Sequence, residues 1–268
     1  MPGALLKPIV FLGAGRITSA LVEGLRGAGY RGQLLVHDRN PAKMSTLQRK
    51  FDARPKTDVR QATQDAGLLV IAVRPVDVGP LLKEIGEVSG TIIGISLAAG
   101  IPLKRLRGSL GPGVMWARAM PSPVCRSGQG LTAISCDARM PKRSRGIVHS
   151  LFARLGQVLE IPERQFDAFT ATYSSSHGYH ALSALTEAAV KLGLNRKAAL
   201  VAAAHALEGG IRHWREGSET LTSLIQEAAT PGGIAATVIQ TADRAGYARI
   251  LERALRAGWK RARINAHL

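Results

Sequence analysis

Ile9-Val10-Phe11-Leu12-Gly13-Ala14-Gly15-Arg16 runs directly into Ile17-Thr18-Ser19-Ala20-Leu21, and this junction decides the fold. The apolar run predicts a buried strand. The Gly-x-Gly turn and the apolar spacing behind it predict an amphipathic helix that begins at once. Such a junction offers free N–H groups and the positive end of a helix dipole to a pyrophosphate. Gly13 allows the tight turn, and Gly15 lets a phosphate approach the backbone. Arg16 and Ile17 open the helix and are candidates for cofactor contact, Arg16 because its guanidinium can reach a phosphate. The usual third glycine is Thr18 here, so position and context carry the reading rather than the triplet alone.

The same alternation continues outward. Strands are expected at 33–37, 68–73, 91–95 and 114–119, with later additions at 131–135 and 157–160. Helices are expected at 17–28, 41–51, 76–85 and 102–109, several of them opening at a proline, whose missing N–H is harmless there. This pattern predicts an α/β fold: an N-terminal Rossmann-type parallel sheet domain over residues 1–162. Beyond Pro162 the strand signals stop. Helical patterns follow at 179–192, then from an Asn195 cap through Trp214, and at 219–229, 234–245 and 247–264. Residues 163–268 are expected to form an all-α domain whose Ala- and Leu-rich faces bury against a second copy, giving a homodimer through the C-terminal helices.

Composition bounds the function. At 268 residues and 46% hydrophobic content the chain has ample material for a core, and a mean hydropathy of +0.04 places it with globular proteins. Two cysteines, Cys125 and Cys136, cannot build a disulfide framework, and neither has metal-ligand spacing. No run of about 18 apolar residues exists, so no membrane span is expected. A cleaved leader would remove the glycine turn, and a cytoplasmic location is the expectation. The net charge of +17 raises nucleic-acid binding, but the basic residues are scattered and aromatic residues are only 4% of the chain. Stacking platforms are therefore scarce, and a basic surface that favours a polyanionic cofactor is the better reading.

Several segments carry candidate chemistry. Asp38 and Arg39 follow the second strand side by side; an acid there binds a ribose 2′-hydroxyl and an arginine a 2′-phosphate, so NAD and NADP both stay open. Ala72-Val73-Arg74-Pro75 and Ser96-Leu97-Ala98-Ala99-Gly100 leave the next two strands at their carboxyl ends, where ligands of open α/β sheets lie, and the small Ala98 leaves room for a flat ring. Met120-Pro121-Ser122-Pro123 is a rigid strand exit suited to positioning substrate. Ser176, His177 and His180 stand near the expected domain joint, the histidines as candidate acid/base groups. No third ligand accompanies them, so no metal is expected. Thr230-Pro231-Gly232-Gly233 precedes a helix whose N–H groups could cradle a carboxylate.

Taken in order, these segments resemble the pyrroline-5-carboxylate reductase family over nearly the whole chain: Phe11-Leu12-Gly13-Ala14-Gly15, Ala72-Val73-Arg74-Pro75, Ile95-Ser96-Leu97-Ala98-Ala99-Gly100-Ile101, Arg118-Ala119-Met120-Pro121, Lys191-Leu192-Gly193-Leu194 and Pro231-Gly232-Gly233. The resemblance implies an intertwined dimer, often in larger rings, and reduction of the cyclic imine 1-pyrroline-5-carboxylate to proline. It implies NADPH or NADH as hydride donor; NADP(H) is expected ahead of NAD(H), with Gly13, Gly15, Arg16, Ile17, Asp38, Arg39, Ala72, Val73, Arg74, Pro75, Ala98 and Met120 at the cofactor. Ser122, Pro123, Ser176, Pro231, Gly232 and Gly233 would meet a substrate that carries a carboxylate. His177, His180 and Thr230 are the candidates for proton transfer.

The chain departs from the family pattern where substrate binds. Met-Pro-Asn-Thr-Pro reads Met120-Pro121-Ser122-Pro123, and a Gly- and Ser-rich segment reads Tyr173-Ser174-Ser175-Ser176-His177-Gly178-Tyr179. The family's substrate-proximal threonine falls on Ala235. These changes leave two alternatives: a reductase of a different imine or carbonyl, and a dinucleotide-binding protein without turnover. A β-hydroxyacid dehydrogenase is disfavoured, because the helical half lacks that family's glycine-rich motif with its lysine.

Overall fold

The structure, a computed structural model, describes residues 7–64 and 66–267. Eight strands form one sheet in the order β3-β2-β1-β4-β5-β6-β7-β8. They are β1 (Ile9–Leu12), β2 (Leu34–His37), β3 (Ala53–Pro55), β4 (Leu68–Ile71), β5 (Ile92–Ser96), β6 (Val114–Pro121), β7 (Gly130–Cys136) and β8 (Gly156–Glu160). Every pairing is parallel except β6 with β7. Helices α1 (Arg16–Gly27), α2 (Pro41–Phe51), α3 (Val59–Gln64), α4 (Pro75–Ile85), α5 (Leu103–Leu106), α6 (Lys142–Ala153) and α7 (Glu163–Thr172) connect or follow the strands.

The sheet is buried on both faces, which is why its strands read as continuous apolar runs. Alternate residues of β1 feed two cores. Ile9 and Phe11 join Leu21, Leu25, Val36 and Phe152, while Val10 and Leu12 join Leu69, Ile71, Leu82 and Trp116. Leu12 pairs with His37 on one side and Ile71 on the other, so β1, β2 and β4 end level. The connections reverse direction here, and this switch point opens a crevice at the strand ends.

Two compact units divide the chain. The first runs to Tyr173 and resumes at Gly258; the second is Ser174–Ala257. The division thus falls later than the expected 162/163 boundary, because α7 belongs with the sheet. Phe166 is buried, Arg118 of β6 bonds to Asp167 at 2.7 Å, and the Leu131 amide donates to the Tyr173 hydroxyl at 3.0 Å. The second unit holds α8 (Ser175–Lys191), α9 (Arg196–Glu216), α10 (Leu221–Ala228), α11 (Ile234–Arg244) and the start of α12 (Tyr247–Asn265). Helices α8 and α9 pack on each other, and Arg196 spans their corner to Glu187. Asn195 caps α9 by accepting from the Ala198 amide, as its position predicts. This unit buries little of its own: Thr186, Ala199, Ala203, Ala236 and Gly246 are its buried residues, whereas Leu185, Val201, Ile211, Trp214, Ile225 and Val238 are exposed. Among the described residues no helix is long and apolar enough to cross a membrane.

Elements β3, α3, α6 and α7 were not expected. β3 is three residues with Arg54 and Pro55 in it. α6 grows out of the basic Lys142-Arg143-Ser144-Arg145 cluster and hides its apolar side in Val148, Leu151 and Phe152. α7 shows a single buried side chain, Phe166. The helix expected over 102–109 is only Leu103–Leu106, and α8 starts earlier than 179, at Ser175, behind a Ser174 cap.

Candidate functional site

A cavity of about 470 Å³ lies over the carboxyl ends of β1, β2 and β4. Gly13, Gly15, Asp38, Arg39, Ala72, Val73 and Arg74 line it, together with Leu12, His37, Lys43, Asp77, Leu81 and Glu84. Gly13 has φ +106°, and a Cβ on it would sit 2.6 Å from the Ala72 carbonyl oxygen. It is there because the turn presses against the exit of β4. Gly15 is the opposite case: a Cβ would meet nothing within 4 Å. The backbone of Gly15 therefore faces open space, as close approach of a phosphate requires. Gly15 is the N-cap of α1, and no side chain caps this helix, so its first-turn N–H groups stay available for an anion.

Two side chains hold this turn from within. The buried Thr18 hydroxyl donates to the Gly13 carbonyl at 2.5 Å, so the residue in place of the third glycine serves as a brace. The helix approaches its neighbour through Gly24 instead, where a Cβ would lie 2.4 Å from the Cys125 carbonyl oxygen. From β2, Asp38 accepts the Ala14 amide on one oxygen and the Asn40 amide on the other.

The cations stand at the rim. Arg39 is exposed, and Glu84 lies 3.9 Å from its guanidinium. Lys43 is exposed on the first turn of α2, whose Asn40 cap accepts from Ala42. Arg74, the N-cap residue of α4, pairs with Asp77 at 2.9 Å. Exposed pairs of this kind are weak and yield readily to a phosphate. His37 lines the cavity with its Nδ1 on the Lys56 carbonyl oxygen.

The remaining expected residues divide. Arg16 is exposed and Ile17 half-buried at the head of α1; Pro75 is the first residue of α4. Ala98, on the loop after β5, is buried in the apolar core and is not among the residues lining this cavity. Met120 is half-buried at the end of β6. Ser122 is buried, and its hydroxyl accepts the Val124 amide as the cap of a 3-10 turn over Pro123–Ser127. Pro123 is exposed at the head of that turn. In the second unit, Ser176, His177 and His180 are exposed on the first turns of α8. The Ser176 hydroxyl lies 2.7 Å from that of Ser174. Thr230-Pro231-Gly232-Gly233 makes a turn closed by the Gly233 amide on the Thr230 carbonyl, with Gly232 at φ +78°. Gly233 is the N-cap of α11, which lacks a side-chain cap.

His37, Lys43, Asp77, Leu81 and Glu84 were not anticipated at this cavity. Lys43 had a readable signal, four residues after Arg39 at a helix start; Glu84 and Leu81 come from the far end of α4 and had none.

A larger cavity, about 1010 Å³, lies at the amino end of β6, lined by Lys83, Glu87, Arg107, Asp137 and Arg139 among others. It faces away from the strand carboxyl ends where chemistry is placed in such sheets. There burial pushes the Asp137 carboxyl up, but hydrogen bonds from the Arg107 guanidinium and the Arg139 amide outweigh it and hold the group below the ordinary carboxylate value. Burial also pushes both thiols, Cys125 and Cys136, up to about 11, which keeps them protonated and unreactive. Among the described residues no cluster of His, Cys, Asp or Glu could hold a metal ion.

Comparison with known proteins matches both halves. The pyrroline-5-carboxylate reductase dimerisation family covers residues 163–264, and the family described as NADP oxidoreductase, coenzyme F420-dependent, covers 8–100. The pyrroline-5-carboxylate reductase of Mycobacterium tuberculosis (strain ATCC 25618 / H37Rv) is 28% identical, over 94% of this chain and 95% of its own length. That of Escherichia coli (strain K12) is 26% identical over 90% and 91%. The structure of a pyrroline-5-carboxylate reductase from Coxiella burnetii superposes with a TM-score of 0.85 at 26% identity, covering 97% of this chain and 98% of that one. The NADP-bound Plasmodium falciparum pyrroline carboxylate reductase, 20% identical, shares the fold with a TM-score of 0.86 over 98% and 100%.

Proposed function

We propose that this chain is a member of the pyrroline-5-carboxylate reductase family, which its similarities support, and that it reduces the C=N bond of 1-pyrroline-5-carboxylate to give L-proline, with NADPH preferred to NADH. The observation that carries the reading is the cavity at the switch point: an uncapped helix N-terminus beside the open space at Gly15, rimmed by Arg39, Lys43 and Arg74. A 2′-phosphorylated dinucleotide fits these residues, and the Asp38 carboxylate, which would otherwise greet a ribose hydroxyl, is engaged with the Ala14 and Asn40 amides.

When bound, the reduced nicotinamide supplies the hydride. The chain's own residues bind and orient. The N–H groups at the head of α1 hold the pyrophosphate, and Arg39 with Lys43 holds the 2′-phosphate. The head of α11, likewise uncapped, takes the substrate carboxylate on backbone N–H groups beside Gly233. His177 and His180, three apart on α8 and so on one face, or the Thr230 hydroxyl, supply a proton at the imine nitrogen. An imine that arrives already protonated needs only to be held. The helical second unit forms a homodimer; its exposed apolar side chains support this, since a free unit seldom leaves so much apolar surface uncovered. Both cysteines are free, which suits a reducing cytoplasm.

A second reading rests on two observations. The Ser122 hydroxyl is spent on capping a turn, and Ala235, exposed in the first turn of α11, has no hydroxyl to offer. A pocket with these groups removed favours a different imine or carbonyl. Following oxidation of NADPH and NADH with 1-pyrroline-5-carboxylate, then with a panel of cyclic imines, separates the readings. Rapid turnover of the first substrate upholds the proposal. Turnover of another imine alone replaces it with the second reading, and nucleotide binding without any turnover overturns both.

A further inference from the structure

We propose that the C-terminal end of α12 positions the loop beneath the nicotinamide, with Asn265 as the positioning residue that acts through the Ala99 carbonyl. The proposal rests on the dinucleotide reading above and goes beyond it.

The loop in question is Leu97-Ala98-Ala99-Gly100-Ile101, which leaves the carboxyl end of β5. The adenosine end of the cavity is set by Asp38 and Arg39 after β2, on one side of β1. The other end of a dinucleotide must then run toward β4 and β5, on the opposite side of the switch point. The β5 loop thus lies on the nicotinamide side. Leu97, Ala98 and Ile101 seat it on the apolar cores, but few hydrogen bonds fix its peptide planes. The Leu97 amide donates to the Ile71 carbonyl, and the Ala98 amide to the Ser96 hydroxyl at 3.3 Å. Neither Ala98 nor Ala99 has a side-chain polar atom with which to bond.

The missing anchor comes from the other end of the chain. Asn265, buried to 8% exposure, donates from Nδ2 to the Ala99 carbonyl at 3.1 Å. One residue on, Gly100 has φ +79°, and a Cβ on it would lie 1.8 Å from the Ala262 carbonyl oxygen, so the helix backbone bears directly on the loop backbone. Arg105 ties down the same helix end by donating to the Ala266 carbonyl at 2.8 Å. A helix could have been secured here by apolar contact alone. A buried amide aimed at one loop carbonyl instead fixes the orientation of that peptide plane, and with it the surface offered to a ring.

Three variants test this: Asn265→Ala, Asn265→Asp, which sets a carboxylate against the Ala99 carbonyl, and Arg105→Ala, which removes a tie that does not touch the loop carbonyl. Binding of NADPH and of 2′-phospho-ADP-ribose, which lacks the nicotinamide, is measured by calorimetry. Melting temperature is recorded alongside, and turnover with unlabelled and 4-deuterated NADPH follows. Both Asn265 variants are expected to weaken NADPH roughly fivefold, the weight of one hydrogen bond, and to leave 2′-phospho-ADP-ribose unchanged. They should also lower kcat, raise the primary isotope effect and leave KM for the imine unchanged. Arg105→Ala is expected to lower the melting temperature without changing the ratio of the two affinities. Equal weakening of both nucleotides, or a lower melting temperature with unchanged affinities, overturns the proposal. The binding arm needs no turnover. A wild-type chain that reduces no imine, yet loses NADPH selectively on Asn265→Ala, refutes the substrate reading and leaves this one standing. An active wild type with Asn265 variants that bind and turn over normally refutes this one alone.

Discussion

Asp38 accepts the Ala14 amide at 2.7 Å, so the carboxylate that closes β2 is a strut for the glycine turn of β1. The bond joins residues from adjacent strand ends, and its other oxygen takes the Asn40 amide at 2.8 Å. Charge-assisted bonds of this kind contribute about 1.5–3 kcal/mol. Asp38→Ala should therefore lower stability by roughly that amount in urea titration and weaken NADPH and NADH alike, because it slackens the turn that both share. Asp38→Asn, which keeps an acceptor, should lose less.

With Asp38 engaged, discrimination between the nucleotides passes to its neighbour. Arg39→Ala should weaken NADPH roughly tenfold while leaving NADH within about twofold, as expected for loss of a phosphate-bound guanidinium. Raising salt should shrink the difference, since the group is exposed and screened. An equal loss for both nucleotides in fluorescence titration would count against a 2′-phosphate role.

The two glycines of the turn make a contrasting pair. Gly13→Ala forces a side chain into a left-handed backbone and onto the Ala72 carbonyl, so the variant should lose several kcal/mol, on the order of 2–4, and express poorly. Gly15→Ala meets only open space. It should melt within a degree or two of the wild type yet bind nucleotide at least about tenfold more weakly, because the new methyl occupies the approach to the phosphate. Normal nucleotide affinity in a well-folded Gly15→Ala would refute the placement.

The Arg107–Asp137 pair carries a pH signature. The Asp137 carboxyl is held below its unfolded value, so its contribution is present above about pH 4 and disappears as the pH falls through the folded value. Asp137→Asn should cost about 1–3 kcal/mol at pH 7, a figure kept modest because Arg107 is 39% exposed. The cost should vanish in acid, which denaturation curves from pH 7 down to pH 2 would reveal as convergence of mutant and wild type.

Ala235 lies exposed in the first turn of α11, so a larger side chain is accommodated. Ala235→Thr should raise kcat/KM for 1-pyrroline-5-carboxylate several-fold, in line with the ~1 kcal/mol that one hydrogen bond contributes. No gain would show that the pocket differs by more than one hydroxyl.

The β1–α1 junction was legible because an unbroken apolar strand and a Gly-x-Gly turn leave little else for the chain to do. The helical half was legible from its period and from caps such as Asn195. Elements α6 and α7 were hidden by charge: Lys142-Arg143 and Glu163-Arg164 look like solvated loop until their buried partners are known. Asp38 shows the limit most clearly. Its position predicted a cofactor-end acid, but whether the carboxylate turns to a ribose or to the Ala14 amide depends on the level at which two strands end, and no local pattern encodes that. Ser122 is similar, since a serine before Pro123 reads equally as a ligand and as a cap. Ala98 reads two ways for a simpler reason: small size signals room for a ligand and close packing with the same letter.

Because Gly258–Asn265 completes the first unit, that unit cannot be finished in the order in which it is synthesised. Strands β1 to β8 leave the ribosome first, then wait while residues 174–257 are made. At about 5–20 residues per second that delay is on the order of 4–20 s. Throughout it the Ala99 carbonyl lacks its amide partner and Gly100 lacks the helix that covers it. A chain cut short before Asn265 would carry the sheet with this loop unfastened. Asn265 thus reaches back to a loop made 166 residues earlier.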